Sequence, residues 1–161
     1  MGVGLYDGFL RGYAMRKFIA LVIISISALL WTPKAFAEIY VVVNQKNPVS
    51  KISTAQLAKI YKGTLLLWPD GQRITPVEVS DTLPLAEEFS MKILKMRVEM
   101  KQKMWVQKIY SGQGTPPVHF KEETDILSFV ASEPGAIGYI RKGTVPEPFV
   151  NSVKIISPGE N

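Results

Sequence analysis

From Ile39 onward, short β-branched runs alternate with longer segments in which apolar residues recur at helical spacing. Residues 39–43 form a continuous apolar run, which is typical of a buried strand. Further strands are predicted at residues 74–79, 136–140 and 152–156, and Pro76 favours an edge position or an irregular start for the first of these. Strands that alternate with helices predict an α/β fold whose mixed sheet is flanked by helices.

Four helices are predicted between these strands. Ser53, followed three residues later by Gln56, has the spacing of a capping box at the start of the first helix. Three more segments have apolar residues at intervals of three and four, namely 85–96, 98–110 and 122–132. We expect the helix at 98–110 to bury Trp105 and Ile109, because both lie on its apolar face.

A secretory leader precedes the predicted domain. A basic start at Met15, an apolar run at residues 18–31 and an Ala-x-Ala cleavage site ending at Ala37 form this pattern. We therefore predict that residues 1–37 are a leader, and that translation in the cell starts within it, at Met15. The mature domain, residues 38–161, is predicted to be soluble and periplasmic. A retained membrane anchor is the alternative, but the apolar run is shorter than the roughly 20 residues of a spanning helix.

Composition excludes several classes of function. Four of the 19 basic residues and one of the 14 acidic residues precede residue 38, so the mature net charge is +2. That charge is too small to indicate a nucleic-acid partner. The chain has no cysteine and one histidine, His119, which excludes thiolate chemistry and a multi-histidine site within one copy. We therefore predict no catalytic residues, no cofactor and no metal site.

The order of several motifs resembles the substrate-binding proteins of phosphate ABC transporters. The matching motifs are Val42-Val43-Asn44, Asn47-Pro48, Trp68-Pro69-Asp70-Gly71 and Pro134-Gly135-Ala136-Ile137-Gly138-Tyr139. The resemblance covers about residues 39–156. It implies a periplasmic-binding-protein-like fold and a small anion, such as phosphate, as ligand. Members that capture solute have two lobes, whereas this chain has enough residues for a single lobe.

The ligand loop implied by this resemblance departs from the family pattern. Phosphate binders carry an arginine and a Gly-Ser-Gly-Thr-like loop at a helix N-terminus, where free N–H groups meet the anion. The matching stretch, residues 76–85, has no glycine or arginine, and Glu78 and Asp81 add negative charge that repels an anion. The resemblance thus implies Ser80, Asp81 and Thr82 as ligand contacts, with weak affinity for phosphate. Capping of the next helix by Asp81 or Thr82 is the alternative interpretation.

Two other segments have both a functional and an ordinary interpretation. Gln113 and Gly114 lie in a polar loop that could face the same ligand, or could simply end the preceding helix. A basic stretch could face an acidic partner, or could be the solvated face of amphipathic helices; it comprises Lys92, Lys95, Arg97, Lys101, Lys103 and Lys108.

Two hypotheses of function follow. The first is a solute-binding-like protein that holds a small anion or polar solute weakly. The second is a protein-interaction or sensory accessory module of the cell envelope, with an envelope protein as partner. The resemblance and the leader favour the first, and the altered loop and single lobe favour the second.

Overall fold

The computed structural model describes residues 39–143, 145–156 and 158–159. The predicted leader and its cleavage site after Ala37 lie outside these residues. None of the helices in the described part of the chain has both the length and the apolar character needed to cross a lipid bilayer.

A five-stranded mixed sheet forms the centre of the domain. The described residues form five strands in this sheet and two in a smaller one. In chain order they are β1 Ile39–Asn44, β2 Ile52–Ser53, β3 Thr75–Val79, β4 Val118–Phe120, β5 Ala136–Arg141, β6 Val153–Ile156 and β7 Pro158–Gly159. The order in the main sheet is β4-β3-β5-β1-β6, and β2 pairs with β7 separately. β3 runs parallel to β4 and β5, whereas β1 runs antiparallel to β5 and β6. The predicted α/β fold with a mixed sheet is confirmed.

In the described part of the chain, four α-helices surround the sheet. They are α1 Thr54–Tyr61, α2 Pro84–Phe89, α3 Val98–Tyr110 and α4 Glu123–Ser132. A π-helical turn, Ser90–Leu94, continues α2 and ends at Lys95, whose φ is +58°. The predicted capping box of α1 is present, because Ser53 accepts from the Gln56 N–H and Gln56 accepts from the Ser53 N–H.

β3 changes its neighbour immediately after Pro76. Residues 75–76 pair with β5 and residues 77–79 pair with β4. Proline has no N–H to donate to a ladder, so it is tolerated where pairing switches from one side to the other. The irregular start predicted for this strand is confirmed, and the strand is internal to the sheet.

Helices cover both faces of the sheet. Successive side chains along each strand point to opposite faces, so neighbouring residues of β5 contact different helices. Gly138 faces α4, where an added Cβ would lie 2.5 Å from Ile126 Cγ2. On the opposite face, Tyr139 of β5 stacks on Phe89 of α2, with ring centroids 3.8 Å apart. Tyr61 of α1 contacts both rings edge-on. Glycine at 138 thus lets α4 approach one face, while three aromatic rings fill the other.

The motifs that suggested the family have structural roles here. The side-chain amide of Asn44 donates to the carbonyls of Val130 and Ala131 near the end of α4. The indole of Trp68 donates to the Gly135 carbonyl at 3.1 Å. These bonds tie β1 and the Trp68 turn to the segment that joins α4 to β5, and the Trp68 side chain is buried.

One prediction about α3 was wrong, and one strand was not predicted. Ile109 is 52% exposed, whereas Trp105 is buried as predicted. The predicted loop that contains Gln113 and Gly114 is present, but it runs into β4, a strand that the sequence did not reveal. β4 is only three residues long and follows two prolines, so it lacks an alternating pattern long enough to detect.

Candidate functional site

β3 and β4 end side by side, and the segment after β3 carries three polar residues. The two strands are parallel, and the Ser80 N–H donates to the Phe120 carbonyl at 2.8 Å. In open α/β sheets, ligands bind outside the carboxyl ends of parallel strands. Ser80, Asp81 and Thr82 therefore lie at the edge where a ligand is expected.

Glu78 is a charged residue inside the domain. It alternates with Val77 and Val79 along β3, so its side chain lies on the face that carries the aromatic rings. Its relative exposure is 0%. A buried carboxylate is costly unless it is paired and hydrogen-bonded. The surroundings of Glu78 therefore determine the chemistry of this edge.

Lys101 supplies the partner of Glu78. It lies in the second turn of α3 and is 1% exposed. Its Nζ donates to Glu78 Oε2 at 2.8 Å and to Asp81 Oδ1 at 2.7 Å. The next residue, Gln102, donates to the other oxygen of Asp81 at 2.9 Å. The expectation that Lys101 belongs to a solvated basic face is wrong, because two acidic groups from another element surround its ammonium.

His119 closes the group on the side of β4. It is the register partner of Glu78 in the parallel pair, and its Nε2 lies 3.3 Å from Glu78 Oε1. The His119 side chain is 41% exposed, whereas that of Asp81 is 15% exposed. The acidic cluster, defined as Glu78, Asp81, Lys101 and His119, thus extends from the protein interior to the surface.

The two carboxyl groups of the cluster have opposite pKa shifts. Burial raises the pKa of Glu78, although the charge and hydrogen bond of Lys101 oppose this effect. Burial would also raise the pKa of Asp81, but hydrogen bonds from Lys101 and Gln102, with the positive charge of Lys101, hold that pKa below its usual value. The net shifts differ in sign because Glu78 is more deeply buried than Asp81.

Tyr139 forms the inner wall of the acidic cluster. Its hydroxyl donates a long hydrogen bond, 3.5 Å, to Glu78 Oε2. Burial, together with the negative charge of Glu78, raises the pKa of the Tyr139 phenol. The hydroxyl therefore stays protonated and acts as a donor to the carboxylate.

The family assignment comes from comparison with known proteins. The sequence model of the PBP superfamily domain matches residues 29–148. The chain belongs to this superfamily. No curated protein sequence matches the chain significantly.

Solved structures share the fold of this superfamily member. An ABC-type phosphate transport receptor from Vibrio cholerae is 21% identical, with a TM-score of 0.55 over 75% of this chain. A protein from Clostridium perfringens, assigned as a phosphate ABC transporter substrate-binding protein and solved with bound phosphate, is 20% identical, with a TM-score of 0.57 over 76% of this chain. The chain spans 46% of the length of each. The likeness to these two structures shows that the chain shares their fold.

Ser80, Asp81 and Thr82 do not cap the helix that follows them. α2 begins at Pro84, its N-cap is Leu83, and no side chain caps it. The Ser80 and Thr82 hydroxyls instead bond to each other at 3.0 Å. The capping interpretation is therefore wrong, and the three residues remain a proposed contact surface at the edge of β3.

Gln113 and Gly114 lie away from that surface. Gly114 lines a groove of about 180 Å³ together with Thr75, Pro76 and Val118, which begin β3 and β4. Ser80 follows the other end of β3. The Gln113 N–H donates to the Lys108 carbonyl, as expected for a segment that ends a helix. The structure thus separates Gln113 and Gly114 from residues 80–82 by the length of a strand.

The sequence did not reveal the acidic cluster, because its members lie far apart in the sequence. Lys101 and Glu78 are 23 residues apart, and His119 lies on a strand that was not predicted. One signal was available: Glu78 occupies a position in an otherwise apolar strand. A charged residue there requires a buried partner of opposite charge.

Proposed function

We propose that the chain is an exported, non-catalytic, solute-binding-like protein of the periplasm that binds a small anion or another polar solute weakly. The proposed contact surface is Ser80, Asp81 and Thr82, at the carboxyl edge of β3. Membership of the PBP superfamily and the bound phosphate of the Clostridium perfringens relative support a solute-binding role. Gln113 and Gly114, from the predicted set, would contact a solute only if it also extended to the groove at the other end of β3.

The pairing of Lys101 carries the argument for weak binding. The acidic cluster has two carboxyl groups, those of Glu78 and Asp81, and one ammonium, that of Lys101. An anion near Ser80 meets an ammonium that Glu78 and Asp81 already engage. At ~6 Å and an effective dielectric near 20, one unpaired carboxylate repels an anion by about 3 kcal/mol. Lys101 offsets only one of the two, so the net effect remains unfavourable.

A thermal-shift series with phosphate, sulfate and small dicarboxylates tests this function. A ligand stabilises the folded state by RT ln(1 + [L]/Kd). At about 10 mM ligand, a site with a Kd of several millimolar gives less than ~1 kcal/mol, whereas a micromolar site gives about 5 kcal/mol. We expect the smaller effect for at least one anion. An effect of several kcal/mol for phosphate would contradict weak binding, and no effect from any solute would contradict a solute-binding role.

One observation favours a protein-interaction module of the envelope as the second candidate. The outer face of α3 exposes Val106, Ile109 and Tyr110, with Tyr110 88% exposed. Their spacing of three and four residues puts these side chains on one side of the helix. A photo-crosslinking side chain at position 110, in intact cells, should then give a defined adduct that is absent at exposed Lys121. Equal labelling at both positions would contradict this candidate.

A further inference from the structure

The acidic cluster has the geometry of a metal-binding site. One ligand atom from each of Glu78, Asp81 and His119 lies within 4.8 Å of the other two. His119 Nε2 and Glu78 Oε1 are 3.3 Å apart. Tetrahedral zinc, with ligand bonds of about 2.0–2.2 Å, places neighbouring ligand atoms roughly 3.3–3.5 Å apart. The two atoms are therefore separated as if a metal already linked them.

A second observation, independent of the spacing, points to a ligand. Glu78 Oε1 is buried and accepts no hydrogen bond from the described residues, although His119 Nε2 lies 3.3 Å away. The carboxylate oxygen is a Lewis base, and so is an imidazole nitrogen that carries no proton. A cation bound between these two atoms would be a partner for both of them.

We infer that Glu78, Asp81 and His119 bind a divalent transition-metal cation of the zinc class. One imidazole and two carboxylates suit Zn²⁺ and its neighbours better than Mg²⁺ or Ca²⁺, which prefer oxygen ligands alone. Three protein ligands leave a fourth position for water. The partial exposure of His119 gives the cation a path from solvent. This inference replaces the prediction of no metal site, which followed from the single histidine.

Lys101 limits how strongly a metal ion can bind to these carboxylates. Its ammonium bonds to Glu78 Oε2 and Asp81 Oδ1, so it holds the carboxylates together in the metal-free protein. The fold therefore does not require the metal, and the protein should remain folded after treatment with a chelator, whereas added Zn²⁺ should raise its melting temperature. A divalent cation must share both carboxylates with the ammonium, which weakens its binding. The metal site is inferred from geometry and does not rest on the proposed anion binding, although Asp81 takes part in both.

Titration of the tag-free mature chain tests the site. The protein is first treated with a chelator and dialysed, and Zn²⁺ is added in a calorimeter at about pH 7.5, without phosphate. In parallel, Co²⁺ is added and the visible spectrum recorded, since cobalt in a tetrahedral site absorbs more strongly than the hydrated ion. We expect one equivalent of each metal to bind, with the cobalt band appearing at the same stoichiometry.

The variant His119→Gln tests whether His119 binds the metal. Its side chain is partly exposed, so we expect the variant to fold. Changes even in the outer shell of a metal site typically cost 10–100-fold in affinity, so loss of a ligand should weaken Zn²⁺ binding by more than about tenfold. Asp70→Asn, at an exposed position before the opposite end of β3, is the matched control and should bind as the wild type does. Equal affinity in the wild type and His119→Gln, or no 1:1 binding below millimolar Zn²⁺, would overturn the inference.

Discussion

The ammonium of Lys101 lies 2.8 Å from Glu78 Oε2, and both side chains are almost completely excluded from solvent. The pair joins α3 to β3 beneath the edge where solute-binding relatives of this fold would be expected to contact a ligand. The pair therefore determines the charge near that edge in the ligand-free protein. The behaviour of the protein should therefore depend more on this pair than on the exposed hydroxyls of Ser80 and Thr82.

Loss of the buried ammonium should destabilise the fold strongly. Removing one partner of a buried ion pair leaves an uncompensated charge, at a cost of about 3–5 kcal/mol. We expect Lys101→Met to lower the free energy of unfolding by this amount in urea denaturation. Lys103→Met, at an exposed position of the same helix, should change it by less than about 0.5 kcal/mol. Similar small losses for both variants would refute burial of the Lys101 charge.

The pH dependence of stability should reflect the lowered pKa of Asp81. A depressed carboxyl pKa contributes stability that is complete above the unfolded value, near 3.9, and is lost as the pH falls through the folded value. The difference in unfolding free energy between wild type and Asp81→Asn should thus be constant from about pH 5 to 7 and shrink below about pH 4. The raised pKa of Glu78 acts with the opposite sign, since its protonation relieves the cost of a buried charge. A difference that grows on acidification would contradict the Asp81 assignment.

Gly138 should not tolerate a side chain. A Cβ at this position would lie 2.5 Å from Ile126 Cγ2 and 3.0 Å from Val77 Cγ2. Because the contact is packed between α4 and the sheet, Gly138→Ala should cost about 1–3 kcal/mol of stability. Gly143→Ala, which has no such neighbour, serves as the control. Thermal unfolding of both variants measures the effect, and equal melting temperatures would show that α4 does not pack as described.

Export should produce a mature protein that begins at Glu38. The basic start, the apolar run and the Ala-x-Ala site ending at Ala37 give this prediction. Mass spectrometry of a periplasmic extract from cells that express the gene measures the mature N-terminus. Recovery of the chain in the inner membrane with Met15 retained would instead support an uncleaved anchor.

Local patterns predicted most of the fold because they act over a few residues. Ser53 and Gln56 are three residues apart, so their capping box follows from the sequence alone. The bounds of the helix predicted at 98–110 agree with α3 because its apolar spacing is regular and Gly112, with φ of +68°, follows its end. The sheet order could not be predicted, since it depends on contacts between distant segments.

The candidate site was predicted only in part, because its chemistry depends on tertiary contacts. Asp81 was placed at the ligand edge, but as a source of repulsion, since its partner Lys101 seemed to belong to a solvated helix face. Ser80 and Thr82 seemed equally suited to capping, because the two roles use the same hydroxyl groups. The start of α2, with Leu83 as its N-cap, excludes capping by these hydroxyls. The burial of Lys101 is likewise not visible in a helical pattern.

Phosphate titration by calorimetry of three proteins tests the central claim most directly. They are the wild type, the double variant Glu78→Gln/Asp81→Asn, and the control Asp70→Asn/Glu147→Gln, which removes the same charge at exposed positions. If the buried carboxylates neutralise Lys101 and repel anions at this edge, the wild type and the control bind phosphate in the millimolar range or more weakly. The double variant, with its ammonium released, then binds more tightly than either. Micromolar binding by the wild type, or equal binding by the double variant and the control, would contradict the account.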